Sequence, residues 1–108
     1  MSLALLLICE YLYWRSTVDA IKVSASSRTA AVAGAIAGVI RDHQRAVIQA
    51  IGAGAVNQAV KALVLATGYL KEDGIQVSCV PEFADVTIGD KMRTAIRLVV
   101  EPNGKNHA

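Results

Sequence analysis

At 108 residues the chain has room for one domain of ordinary size and none for a catalytic module beside a binding module. Hydrophobic residues make up 54% of it, carried by Ala, Val, Ile and Leu with one Trp, one Phe and three Tyr, which suits close layers of small side chains. Lys and Arg exceed Asp and Glu by 11 to 9, a slight basic balance that permits an anionic partner and excludes the strongly basic and strongly acidic classes.

The chain opens on an apolar stretch, Leu3 to Ile8, which Glu10 ends before Tyr11, Tyr13 and Trp14. That is well short of the roughly 20 residues that cross a bilayer. Trp14-Arg15-Ser16 stands where a signal peptide would carry small residues for cleavage, so neither a membrane anchor nor an exported leader is expected. Cys9 and Cys79 are too far apart for a CxxC site or a disulfide framework and fit a reducing cytoplasm. Cys79 alternates with Ile75 and Val77 and is expected to be a small buried hydrophobe.

Ala20 to Ala25 alternates, with Ile21, Val23 and Ala25 on one side, and predicts a half-buried strand. Ser26, Ser27 and Arg28 form a polar loop in which either serine can cap the next helix by accepting an amide hydrogen of its first turn. The helix is predicted over Thr29 to His43, with Gly34 and Gly38 four apart on one stripe, a spacing that lets another backbone approach. Ala46 to Ile51 is of strand length, apolar apart from Gln49, and Gly52-Ala53-Gly54 ends it.

A second helix is predicted from Ala55 to Gly68, with Val56, Ala59, Val60, Leu63 and Ala66 or Thr67 inward and Gln58, Lys61 and Ala62 near the outside. Glu72-Asp73-Gly74 is a turn. Ile75 to Val80 and Phe83 to Ile88 form an edge strand that Pro81 is expected to bend or bulge. Gly89-Asp90-Lys91 marks a hairpin, and Arg93 to Glu101 is the last strand, with Thr94, Ile96, Leu98 and Val100 on one face and Arg93, Ala95, Arg97, Val99 and Glu101 on the other. The order strand, helix, strand, helix, strand, strand, with right-handed crossovers, predicts an α+β two-layer sandwich: two helices on one face of a four-stranded mixed sheet whose other face is open.

Chemistry-bearing motifs are scarce. Gly52-Ala53-Gly54, between a strand and a helix start, can hold an anion on backbone amides or can simply be a tight turn. The dinucleotide pattern fails because Asn57 stands where its third glycine should be, and no P-loop Lys-Ser or Lys-Thr follows. His43 ends a helix and suits its C-terminal carbonyls, while His107 lies in the polar tail, so no metal site is expected. No Ser-His-Asp order, framed carboxylate pair or Cys-His arrangement points to an enzyme, and no cofactor is called for.

Four blocks carry a resemblance. Ile21-Lys22-Val23-Ser24-Ala25, Val32-Ala33-Gly34-Ala35-Ile36-Ala37-Gly38-Val39, Ile48 to Ala62 with its Ile48-Gln49-Ala50-Ile51-Gly52-Ala53-Gly54-Ala55 core, and Arg93 to Pro102 resemble the stage V sporulation protein S family over about residues 18 to 102. The resemblance implies an Alba-like fold, a homodimer or higher homo-oligomer, nucleic acid (DNA or RNA) as ligand, and a regulatory or architectural role in sporulation. It also implies a domain at 18–102 between an extension, 1–17, and a polar tail, 103–108. Val18 falls where family members begin, and a GTG codon would make it the initiator. The loop Ser26-Ser27-Arg28-Thr29 departs from the family's Lys- and Asn-bearing version, with Arg28 left to supply the charge.

Candidate nucleic-acid contacts are Lys22, Ser26, Ser27, Arg28, Gly52, Gly54, Asn57, Gln58, Lys61, Lys91, Arg93 and Arg97. Phosphates need only cations and amides at the correct separation, and a hairpin arm at Gly89 to Arg93 can reach along a duplex. Asp85, Asp90 and Glu101 are expected to dilute the positive field, and polar groups on a helix face are commonly just solvated. The alternative is a protein-assembly module whose open sheet face packs copies without nucleic acid.

Overall fold

The computed structural model describes residues 20–103. Within them lie β1 (Ile21–Val23), α1 (Thr29–His43), β2 (Ala46–Ala50), α2 (Ala53–Glu72), β3 (Val77–Ile88) and β4 (Lys91–Pro102). The expectations for the extension 1–17, for Val18 and for most of the polar tail fall outside the described residues. The sheet runs β1-β2-β4-β3, with β1 parallel to β2 and the other pairs antiparallel. Element order, helix count and sheet type are those expected from the sequence.

Alanine builds the core. Ala33, Ile36, Ala37 and Ile40 of α1 and Ala55, Ala59, Ala62, Ala66 and Leu70 of α2 are buried against Ile48, Ala50, Leu98 and Val100 of the sheet. Two helices share a sheet only three to four strands wide, and methyl-sized contacts let their axes come close. The expected stripe of α2 holds at Ala59 and Ala66, which are fully buried, and at Val56 and Leu63, which pack against the core, and is corrected at two positions: Ala62, expected near the outside, is fully buried, and Val60 is 45% exposed. The buried seam, 55-59-62-66-70, shares Ala59 and Ala66 with that stripe and takes Ala62 in place of the bulkier Val60. The glycine stripe of α1 is corrected in the same way. A Cβ on Gly34 or Gly38 would meet nothing within 4 Å, and the close approach is made one residue earlier, at Ala33 and Ala37.

Helix α2 begins two residues before the prediction and runs four past Gly68, because fully buried Leu70 anchors a further turn. Its end is closed by Ile75 N–H donating to the Leu70 carbonyl at 2.9 Å and Gly74 N–H to that of Lys71 at 3.0 Å, with Gly74 at φ 75°. The predicted turn at Glu72-Asp73-Gly74 is therefore the helix terminus itself.

Strand β3 carries no bulge, contrary to expectation. Its register with β4 is unbroken from Val77 opposite Pro102 to Ile88 opposite Lys91, with Pro81 opposite Leu98. A proline is tolerated because β3 is an edge strand, where an N–H directed away from the sheet has no ladder partner to lose. Cys79, expected to be buried, is exposed on this edge, and the partial burial it does have pushes its thiol pKa upward.

Strand β2 pairs with β4 only from Ala46 opposite Val100 to Ala50 opposite Ile96. Residues Lys91 to Ala95 of β4 therefore pair with β3 alone and form an arm beyond the end of β2. Gly89, at φ 65°, opens the two-residue turn Gly89-Asp90 at its tip. Phe83, 77% exposed, shows that the helices do not cover this region.

Candidate nucleic-acid interface

Because β1 and β2 are parallel and each leads into a helix, α1 and α2 begin at the same end of the sandwich, the end from which the arm projects. The loop between β1 and α1 is shaped by serines. Ser27 N–H donates to the Ser24 carbonyl at 3.1 Å, Ser24 N–H to Ser27 Oγ at 2.9 Å, and the Ser24 and Ser26 hydroxyls lie 3.1 Å apart. This turn shortens β1 to three residues and engages the serines expected to cap α1. Arg28 takes the cap position instead, and no side chain caps the helix.

Helix α2 is pinned to that loop. Gln58 Nε2 donates to the Ser27 carbonyl at 2.7 Å and to Thr29 Oγ1 at 3.2 Å, and Lys61 Nζ donates to Gln58 Oε1 at 3.1 Å. Gln58 thus ties two helix starts together, with Lys61 held beside it. Gly52 is the cap residue of α2 at φ 95°, ψ 154°, a region essentially confined to glycine. A Cβ on Gly54 would sit 3.0 Å from Ala25 Cβ, so Gly54 answers to close approach and Gly52 to conformation. Neither helix has a side-chain cap or an acidic residue in its first turn, which leaves the positive ends of both dipoles uncompensated. Arg28 and Asn57 are exposed there.

Strand alternation sorts the remaining candidates. Lys91, Arg93 and Arg97 share the open face of β4, and Lys22 joins them because it pairs with Gln49, which pairs with Arg97. Of the carboxylates expected to dilute this field, Asp85 pairs with Thr94 on the opposite face and Glu101 pairs with Arg45 at 3.4 Å. Glu82 stands opposite Arg97 without an ion pair between them. Among the described residues no ion pair engages Lys22, Arg28, Lys91 or Arg93. The structure therefore brings the candidates from the two helix starts, the serine loop and the arm to one end, while Arg97 lies further back on the sheet.

The arm curls toward β1 and borders an open cleft of about 390 Å³ lined by Lys22, Ser24, Gln49, Ile51, Val86 and Ile88, among others. Gln49 is only 8% exposed and accepts a 3.3 Å hydrogen bond from Arg97 Nε on its Oε1. Sequence reasoning noted Gln49 only as a polar break in a strand. A buried-length strand interrupted by one amide was the available signal, but the curl that forms the cleft is tertiary. Among the described residues no helix is long and apolar enough to cross a membrane, and no three His, Cys, Asp or Glu residues gather to hold a metal ion.

Against known families, the model of stage V sporulation protein S (SpoVS) matches residues 19–103, the greater part of the chain and all of the sandwich. The chain belongs to the stage V sporulation protein S family. Membership supports a sporulation-related role. Each block on which the resemblance rested now has a place: the Ile48 to Ala62 block of this SpoVS chain is β2, the Gly52 cap and the first half of α2, and Arg93 to Pro102 is nearly the whole of β4.

Proposed function

We propose that this protein binds nucleic acid, DNA or RNA, at the arm end of the sandwich as a regulator or architectural factor in sporulation. The observation that carries this reading is the clustering of cations that have no ion-pair partner among the described residues, on the arm and beside two uncapped helix starts, with Asp85 on the opposite face and Glu101 paired, while Glu82 and Asp90 remain beside them. Such a surface neutralises phosphates without reading sequence. Affinity should therefore fall steeply with salt. Replacing Lys91 and Arg93 together by Ala should reduce the log–log salt slope by about 2 per protomer and weaken all sequences alike. Absence of binding at low salt, or an unchanged slope in the double variant, would refute the reading.

One observation favours a second reading, assembly of copies, which is compatible with the first. Val60, Val64, Leu65 and Tyr69 of α2 are all at least 40% exposed and crowd the outer side of one helix. A homodimer formed there would carry two arms. Light scattering on the full chain tests this: Val64→Asp should yield the monomer, and an unaltered mass would discard this face as the interface.

A further inference from the structure

The cleft under the arm differs from the cationic surface around it, because apolar walls stand beside two side-chain donors, Gln49 and Lys22, and the hydroxyls of Ser24 and Thr87. Arginine can only donate a hydrogen bond, so the bond from Arg97 fixes the Gln49 carbonyl oxygen toward Arg97 and turns its NH2 away. That NH2 makes no hydrogen bond among the described residues, although the side chain is more than nine-tenths buried and lines the cleft. The NH2 borders the cleft, where a ligand can take up its hydrogen-bonding capacity. Lys22, in register beside Gln49, adds a second donor and a positive charge. Ile51, Val86 and Ile88 supply apolar surface, and Ile88 is still 52% exposed.

A flat ring with acceptors on its edge, carried on an anionic backbone, satisfies all three features. Resting on the proposal of nucleic-acid binding, we infer that the cleft seats one unstacked base of a single strand, its face on Val86 and Ile88, an acceptor on Gln49 Nε2 and the adjoining phosphate toward Lys22. A base within a duplex has both faces stacked on its neighbours and cannot enter; a single strand can splay one out. The volume is of the order of small-ligand pockets, which begin at about 300 Å³.

Fluorescence anisotropy on the full chain separates this inference from the reading beneath it. The probes are an oligothymidylate, an abasic strand with the same number of phosphates, and a duplex of the same length. The oligothymidylate should bind about ten-fold more tightly than the abasic strand, the scale of one base contact. It should also bind more tightly than the duplex. Gln49→Leu should abolish that preference and leave the abasic strand's affinity unchanged. Ile88→Ser, at a half-exposed position where folding is not at risk, should reduce it in the same way. Equal binding of base-bearing and abasic strands, tighter binding of the duplex, or a preference that survives both substitutions would overturn the inference while nucleic-acid binding stands. No binding of any probe at low salt would overturn both.

Discussion

The two ends of the sandwich carry similar charged groups and treat them differently. At the end where the helices finish, Arg41 Nε lies 2.7 Å from Asp73 Oδ2, linking the last turn of α1 to the cap of α2, and Arg45 lies 3.4 Å from Glu101, linking the start of β2 to β4. Arg41, His43 and Lys71 sit in the last turns, where the dipole favours cations. At the end where the helices begin, no acid sits in a first turn, and Lys22, Arg28, Lys91 and Arg93 have no ion-pair partner among the described residues. One end neutralises itself. The other leaves its cations without ion-pair partners among the described residues, so position relative to an opposite charge, and not the count of charges, separates the paired cations from the candidate nucleic-acid contacts.

The comparison can be broken first at Gly52. Its φ of 95° and ψ of 154° lie where a Cβ clashes with the backbone itself, so Gly52→Ala should cost about 1 to 3 kcal/mol of stability, read from the denaturant midpoint. Gly54→Ala is its control. The added Cβ presses on Ala25 at 3.0 Å, but Ala25 is exposed in a loop and can yield, and alanine regains about 1 kcal/mol of helix propensity over glycine. The two substitutions should therefore differ clearly, with Gly52→Ala much the worse. Equal costs would mean that conformation at the cap does not shape this end.

The contrast between these glycines also marks how far the sequence could be read. Alternation and helical period place all six elements, and α1 falls on its predicted bounds, because each element has a period of its own. Which stripe of α2 turns inward is different. Val60 and Ala62 are both apolar, and the choice depends on how closely α1 lies alongside, a property of the pair of helices. A tight turn at Gly52-Ala53-Gly54 was legible, but both glycines fit a strand-to-helix turn, and only the path of the backbone puts the positive φ at Gly52. The candidate cations were legible as residues. That Asp85 faces away from Arg93 depends on strand alternation, which the sequence shows, together with a register unbroken through Pro81, which it does not. The cleft at Gln49 needs the curl of the arm and could not be seen at all.

The smallest expected effect lies at the self-neutralised end. Arg41 and Asp73 are 46% and 44% exposed, so their attraction is screened by solvent and opposed by the entropy of holding two side chains in one geometry. A double-mutant cycle with Arg41→Ala and Asp73→Ala should give a coupling of about 0.2 to 1 kcal/mol. That coupling should fade as salt rises from about 0.01 M to 1 M and the screening length contracts from about 30 Å to 3 Å. The salt slope of nucleic-acid binding should not change in either single variant, because the proposed interface lies at the other end. Lys91→Ala with Arg93→Ala should behave in the opposite sense, shifting the slope while leaving Tm nearly untouched, since neither side chain has an ion-pair partner to lose among the described residues. Should Arg41→Ala flatten the binding slope, or should the arm variant lose stability in proportion to its lost affinity, the two ends would not be divided by task.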